Sequence, residues 1–127
     1  MRTHTHKNGP LLVLVAGPYR SGTGDDPVKL AANVEEMNRA ALDAFRAGHV
    51  PVTGEALALP LIELAGSSRV GDAAFQDIFH PISRRLVAHC DAVLRVGGAS
   101  AGADEMVEIA RADGKLVVTS IEELPAP

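Results

Sequence analysis

Leu94-Arg95-Val96-Gly97-Gly98-Ala99-Ser100-Ala101-Gly102-Ala103-Asp104-Glu105-Met106 decides how the rest of the chain is read. It is the end of a buried strand, a glycine-rich loop, and the first turn of a helix carrying two carboxylates. Small residues from Gly97 to Ala103 admit a ligand close to the backbone. Amides at the helix start favour an anion. Glu105 is expected to face the same crevice, as nucleophile or general base. Acidic residues also belong to ordinary helix starts, so the stretch alone leaves both readings open.

Outward from it, the same pattern recurs. Leu11 to Ala16 is a continuous apolar run, as expected of a central parallel strand covered on both faces. It ends in Gly17-Pro18-Tyr19-Arg20-Ser21-Gly22-Thr23-Gly24, rich in glycine and hydroxyls. A phosphate or sugar would find amides, Ser21 and the Arg20 guanidinium there. A plain strand-to-helix connection explains the loop equally well. It matches neither a Walker loop nor Gly-x-Gly-x-x-Gly. Asp26-Pro27 then caps a helix predicted to run to about Ala47, stopped by Gly48.

His49 to Thr53 reads as a second strand, with Pro51 placing it at an edge. Glu55 follows at its carboxyl end, the ligand side of an open α/β sheet. It is read as a sugar or base contact, or as a helix-capping residue. Ala56 to Ala65 is apolar almost all round, which points to packing against a second chain. Two helical stretches are predicted next, Ala73 to His80 and a second from Pro81. Ala92 to Val96 is a third strand, and Lys115 to Thr119 a fourth. Asp91 is expected at the sheet end remote from chemistry. Asp77, His80 and Asp104 are the candidates for a second acid or base.

With 127 residues, 46% hydrophobic and 22% charged, the chain is expected to form a single domain over residues 1–127, with 1–9 as a flexible tail. His4 and His6 make a metal pair on paper, but a frayed end is the expectation there, and no metal site or cofactor is expected. A net charge of -4 and no basic stripe argue against nucleic acid. The single cysteine, Cys90, excludes a disulfide framework. No apolar run approaches ~18 residues, so no membrane span is expected and the cytoplasm is the default.

Strand and helix signals alternate, which demands parallel pairing with right-handed crossovers. The expected architecture is α/β, a three-layer flavodoxin/Rossmann-like parallel sheet of four to five strands in order 2-1-3-4. Its switch point lies between the first and third strands. The two glycine-rich loops therefore meet across one crevice.

Val15-Ala16-Gly17-Pro18-Tyr19, together with Ser100-Ala101-Gly102-Ala103-Asp104-Glu105, resembles the nucleoside 2-deoxyribosyltransferase superfamily, and within it a small bacterial and phage branch. The similarity runs over roughly residues 11–119. The resemblance implies that Glu105 is the nucleophile and Tyr19 orients it. Ser100 and Gly102, with Arg20, Ser21 and Gly22, would hold sugar hydroxyls or a 5′-phosphate. Gly17, Pro18 and Gly98 would lend backbone to the site. It implies a parallel α/β fold and a homo-oligomer, a dimer or tetramer. The family's acid on the helix before the third strand falls at Ser83, so Asp77 is taken as its substitute. The activity implied is N-glycosidic cleavage or deoxyribosyl transfer on a nucleoside or nucleotide. A nucleotide sensor without turnover, or an NAD-cleaving or phosphoribohydrolase-type enzyme, are the alternatives.

Overall fold

The computed structural model describes residues 9–127; the His4–His6 pair and the rest of the expected tail up to residue 8 lie outside the described residues. Four parallel strands form one sheet in the order β2-β1-β3-β4, as the alternation predicted. The strands are β1 (Leu12–Ala16), β2 (Val50–Val52), β3 (Ala92–Arg95) and β4 (Leu116–Val118). Helices α1 (Pro27–Arg46), α2 (Gly54–Leu64), α3 (Ala73–Val87) and α4 (Ala101–Ala112) connect them, and a 3-10 turn covers Ile121–Glu123.

β1 is central because its side chains are apolar on both faces. Leu14 and Ala16 point to one side, where they meet Val87, Cys90, Met106 and Ala110 of the α3–α4 layer. Val13 and Val15 point to the other, against Met37 of α1 and Val118. This is the strand period of two applied to a run with no polar break. A third, smaller cluster joins α2 to α3 through Ala58, Ile62 and Phe75, with Tyr19 packed on it.

Local chemistry fixes the element starts. Asp26 accepts from Lys29 N–H, Thr53 from Ala56 N–H, and Ser100 from Ala103 N–H, each as an N-cap. Asp72 does more: it accepts from the amides of Phe75, Ser68 and Arg69 and from Ser67 Oγ. These donors hold its carboxyl far below the usual carboxylate range, the Phe75 amide most of all. It thereby ties the α2–α3 loop to α3.

Two expectations need correction. The predicted break at Pro81 does not occur; α3 is one helix of 15 residues through it. Proline removes one N–H from the ladder, but Asp77, four residues back, is an exposed residue whose carbonyl can turn to water. The second concerns α4, which begins at Ala101 and carries Glu105 on its outer side, paired with Arg84, rather than facing the crevice.

At the far end of the sheet, Asp91 accepts from Leu12 N–H at 2.8 Å, a structural role as expected. His49 is buried and ties the start of β1 to the C-terminal segment: Nδ1 accepts from Leu11 N–H at 3.0 Å, and Nε2 lies 2.9 Å from the Pro125 carbonyl. Accepting at Nδ1 leaves the proton on Nε2, which then donates to Pro125. Leu57, Leu61 and Leu64 of α2 stand 43%, 47% and 87% exposed, one turn apart on one face.

Candidate ligand site at the switch point

The carboxyl ends of β1 and β3 diverge into the two glycine-rich loops, and a cavity of about 260 Å³ opens between them. Its floor is Leu14, Val15 and Ala16 of β1. One wall comes from Gly17, Tyr19, Arg20 and Ser21, another from Ser100 to Ala103 and Met106. The remaining walls come from Gly54 and Glu55 at the start of α2, and from Phe79, His80 and Ser83 of α3. Parallel topology places ligand groups there because loops leaving neighbouring strands in opposite directions leave a gap.

Of the residues singled out from sequence, Tyr19, Gly17, Arg20, Ser21, Glu55, Ser100 and Gly102 line this cavity. Pro18, Gly22 and Gly98 line an open groove beside it, with Ser21, Asn33, Glu36 and Ser100. Asp77 is exposed on α3 and lines neither.

Glu105 does not face the cavity either. It lies on the outer side of α4, half exposed, paired with Arg84 of α3 at 3.2 Å. An ion pair this exposed contributes about 0–1 kcal/mol. The inward positions of that turn are Ala103 and Met106, both buried. With 3.6 residues per turn, one position along a helix is a rotation of about 100°. Met106 therefore occupies the direction assigned to Glu105. Asp104 is exposed as well and accepts from Arg95 Nε at 3.0 Å. Arg95 also donates to the Gly98 carbonyl, pinning the glycine-rich loop to the first turn of α4.

The carboxylate that does line the cavity is Glu55. It is 7% exposed, and its Oε1 is buried with no hydrogen-bond partner among the described residues. Burial pushes its carboxyl above the usual value of 4.5, opposed in part by its own backbone amide. Gly54 beside it has no room for a Cβ, because the Ser83 hydroxyl occupies that space. Ser83 thus seats α3 tightly over the start of α2.

Tyr19 closes the aromatic side. Its ring lies 5.4 Å from Phe79 and 6.4 Å from Phe75, and those two lie 4.7 Å apart. Its backbone carbonyl accepts from Asn33 at 2.8 Å. Burial, then the charges of Glu55 and Asp25, raise the phenol above its usual pKa, so Tyr19 stays a hydroxyl donor at neutral pH. Phe79 and Met106 belong to the site but not to any expected motif; apolar residues at helical spacing read simply as core.

The structure is a parallel α/β fold with a cavity at its switch point. No family model, curated protein or solved structure matches the chain. Among the described residues, no group of three or more His, Cys, Asp or Glu could hold a metal ion, and no helix is long and apolar enough to cross a membrane.

Proposed function

We propose that the cavity takes a nucleoside or nucleotide, and that the protein cleaves its N-glycosidic bond with Glu55 as the acting carboxylate in place of Glu105. One observation carries this reading: a buried carboxyl with an unpartnered oxygen, set below two glycine-rich loops. A carboxyl whose pKa is raised by burial is suited to donate a proton. Glu55 would protonate the base as the C1′–N bond breaks, the bonding pair leaving with the base. The oxocarbenium ion is then captured by water or a second base, and Glu55 recovers the proton. Tyr19, Ser83 and Ser100 offer hydroxyls for the sugar, while Phe79 and Met106 offer an apolar surface for the base. A volume of about 260 Å³ is of the size to hold one nucleoside.

A second reading is binding without turnover. It is favoured by Met106, which stands where a paired carboxylate would be needed for the usual two-carboxylate glycosidase chemistry. The leucine face of α2 supports self-association as a homo-oligomer under either reading.

The test is incubation with a nucleoside and nucleotide panel, with free base followed by chromatography. Release by the parent and by Glu105→Ala, with loss in a folded Glu55→Gln, is the expected result. Loss in Glu105→Ala with retention in Glu55→Gln would overturn the assignment. Ligand-induced thermal stabilisation without product would move the conclusion to the second reading.

A further inference from the structure

We infer that the site is built for the uncharged nucleoside and discriminates against its 5′-phosphorylated form, with Asp25 as the residue that sets this preference. The inference rests on the proposed nucleoside-binding reading and narrows it.

The argument starts from the cations. Arg20 is the single Arg or Lys among the described residues lining the cavity. From the sequence it was the natural phosphate ligand. Its guanidinium is already committed: Nε donates to Asp25 Oδ1 and Nη2 to Asp25 Oδ2, both at 2.8 Å. That is the bidentate fork geometry in which a carboxylate occupies the edge a phosphate would use. The hydrogen-bonded guanidinium holds the Asp25 carboxyl below its usual range, so the partner stays charged.

The rest of the group is packed against its neighbours rather than hydrogen-bonded to a carboxylate. The guanidinium carbon sits 5.5 Å from the Phe75 ring centroid. A Cβ on Gly71 would lie 2.5 Å from Arg20 Nη2, so the α2–α3 loop packs directly on it. Asp25 is held in place too. It adopts φ 60, the left-handed region, and its N–H donates to Thr23 Oγ1 at 3.0 Å. Thr23 is buried and its hydroxyl donates to the Arg20 carbonyl. The pair is therefore a fixed part of the loop.

The surrounding charges point the same way. Glu36 lines the adjoining groove at the Gly98 side, and Glu55 in the cavity wall brings no positive charge. Arg84 and Arg95 are paired, with Glu105 and Asp104 respectively. His80 is the remaining wall residue able to carry positive charge. A phosphate dianion entering here meets a guanidinium already neutralised by the Asp25 carboxylate, with Glu36 in the adjoining groove, in a partly desolvated space where like charges are costly. Hydroxyls of a neutral sugar meet Tyr19, Ser83 and Ser100 instead.

The experiment measures binding by calorimetry for 2′-deoxyadenosine and 2′-deoxycytidine, each against its own 5′-monophosphate. The parent should bind each nucleoside at least tenfold more tightly than its monophosphate. Asp25→Asn keeps the shape and tolerates a left-handed φ well. It should narrow that ratio by about tenfold or more, chiefly through tighter monophosphate binding. Tighter binding of the monophosphates by the parent, or an unchanged ratio in Asp25→Asn, overturns the inference and leaves the proposed function standing. Failure of all four compounds to bind at millimolar concentration removes the proposed function and this inference together.

Discussion

Replacing Glu55 by methionine should make the protein more stable, and more so as pH rises. The Oε1 atom is buried and unpartnered, a situation that costs about 1–3 kcal/mol. Two gains oppose that cost. Glu55 sits in the first turn of α2, where a carboxylate gains about 0.3–1 kcal/mol from the helix dipole. Its own backbone amide also favours the charged form. Methionine is of similar length and adapts to irregular space. The expected net gain is about 1 kcal/mol near pH 8.

The pH dependence gives the sharper test. Below about 4.5 the carboxyl is protonated in both the folded and unfolded chain, so it adds no slope. As pH rises past that value the unfolded chain releases its proton first. The parent therefore loses stability until pH reaches the raised folded value, and the loss is constant above it. The methionine variant has no such loss. Asp25, Asp72 and Glu123 are shifted downward instead, so their contributions are present at neutral pH and fade toward acid. They are common to both proteins and cancel in the difference. Urea unfolding of the pair at about pH 5 and about pH 8, at one ionic strength, reads that difference directly. A variant less stable than the parent at the higher pH, or an advantage that does not grow with pH, would refute the reasoning.

Two further outcomes follow from local geometry. Gly17→Ala would put a Cβ 2.5 Å from Met37 Sδ and 2.8 Å from the Val96 carbonyl; the thioether can move but the carbonyl cannot, so thermal unfolding should report a loss of about 1–3 kcal/mol. His49→Leu removes the acceptor for Leu11 N–H and the donor to Pro125; leaving those groups unmet should cost about 2–3 kcal/mol in urea unfolding, with ligand binding at the opposite sheet end unchanged.

The sheet was legible because β1 is apolar without interruption and each strand is followed by a helix with its own cap. Those are local signals, and the parallel order follows from them. The two glycine-rich loops were legible as one crevice for the same reason. What sequence could not settle was rotation. Ser100 caps α4 through Ala103 N–H, which starts the helix at Ala101 and turns Met106 inward in place of Glu105. Adjacent residues on a helix point about 100° apart, and here that difference puts a thioether in the site instead of a carboxylate. Glu55 was visible as a position at the ligand edge. Its burial was not, because it is produced by α3, whose Ser83 packs on Gly54 from nearly thirty residues away. Pro81 misled by a general rule whose exception depends on which carbonyl faces solvent.

The cavity walls are drawn from four stretches of chain: the exit of β1, the first turn of α2, the middle of α3 and the start of α4. No short fragment holds even two opposing walls. An occupant consequently behaves as a non-covalent crosslink between distant segments. Opening any one of them to a protease would require first releasing the guest, so its presence should slow nicking across the whole domain rather than at a single loop.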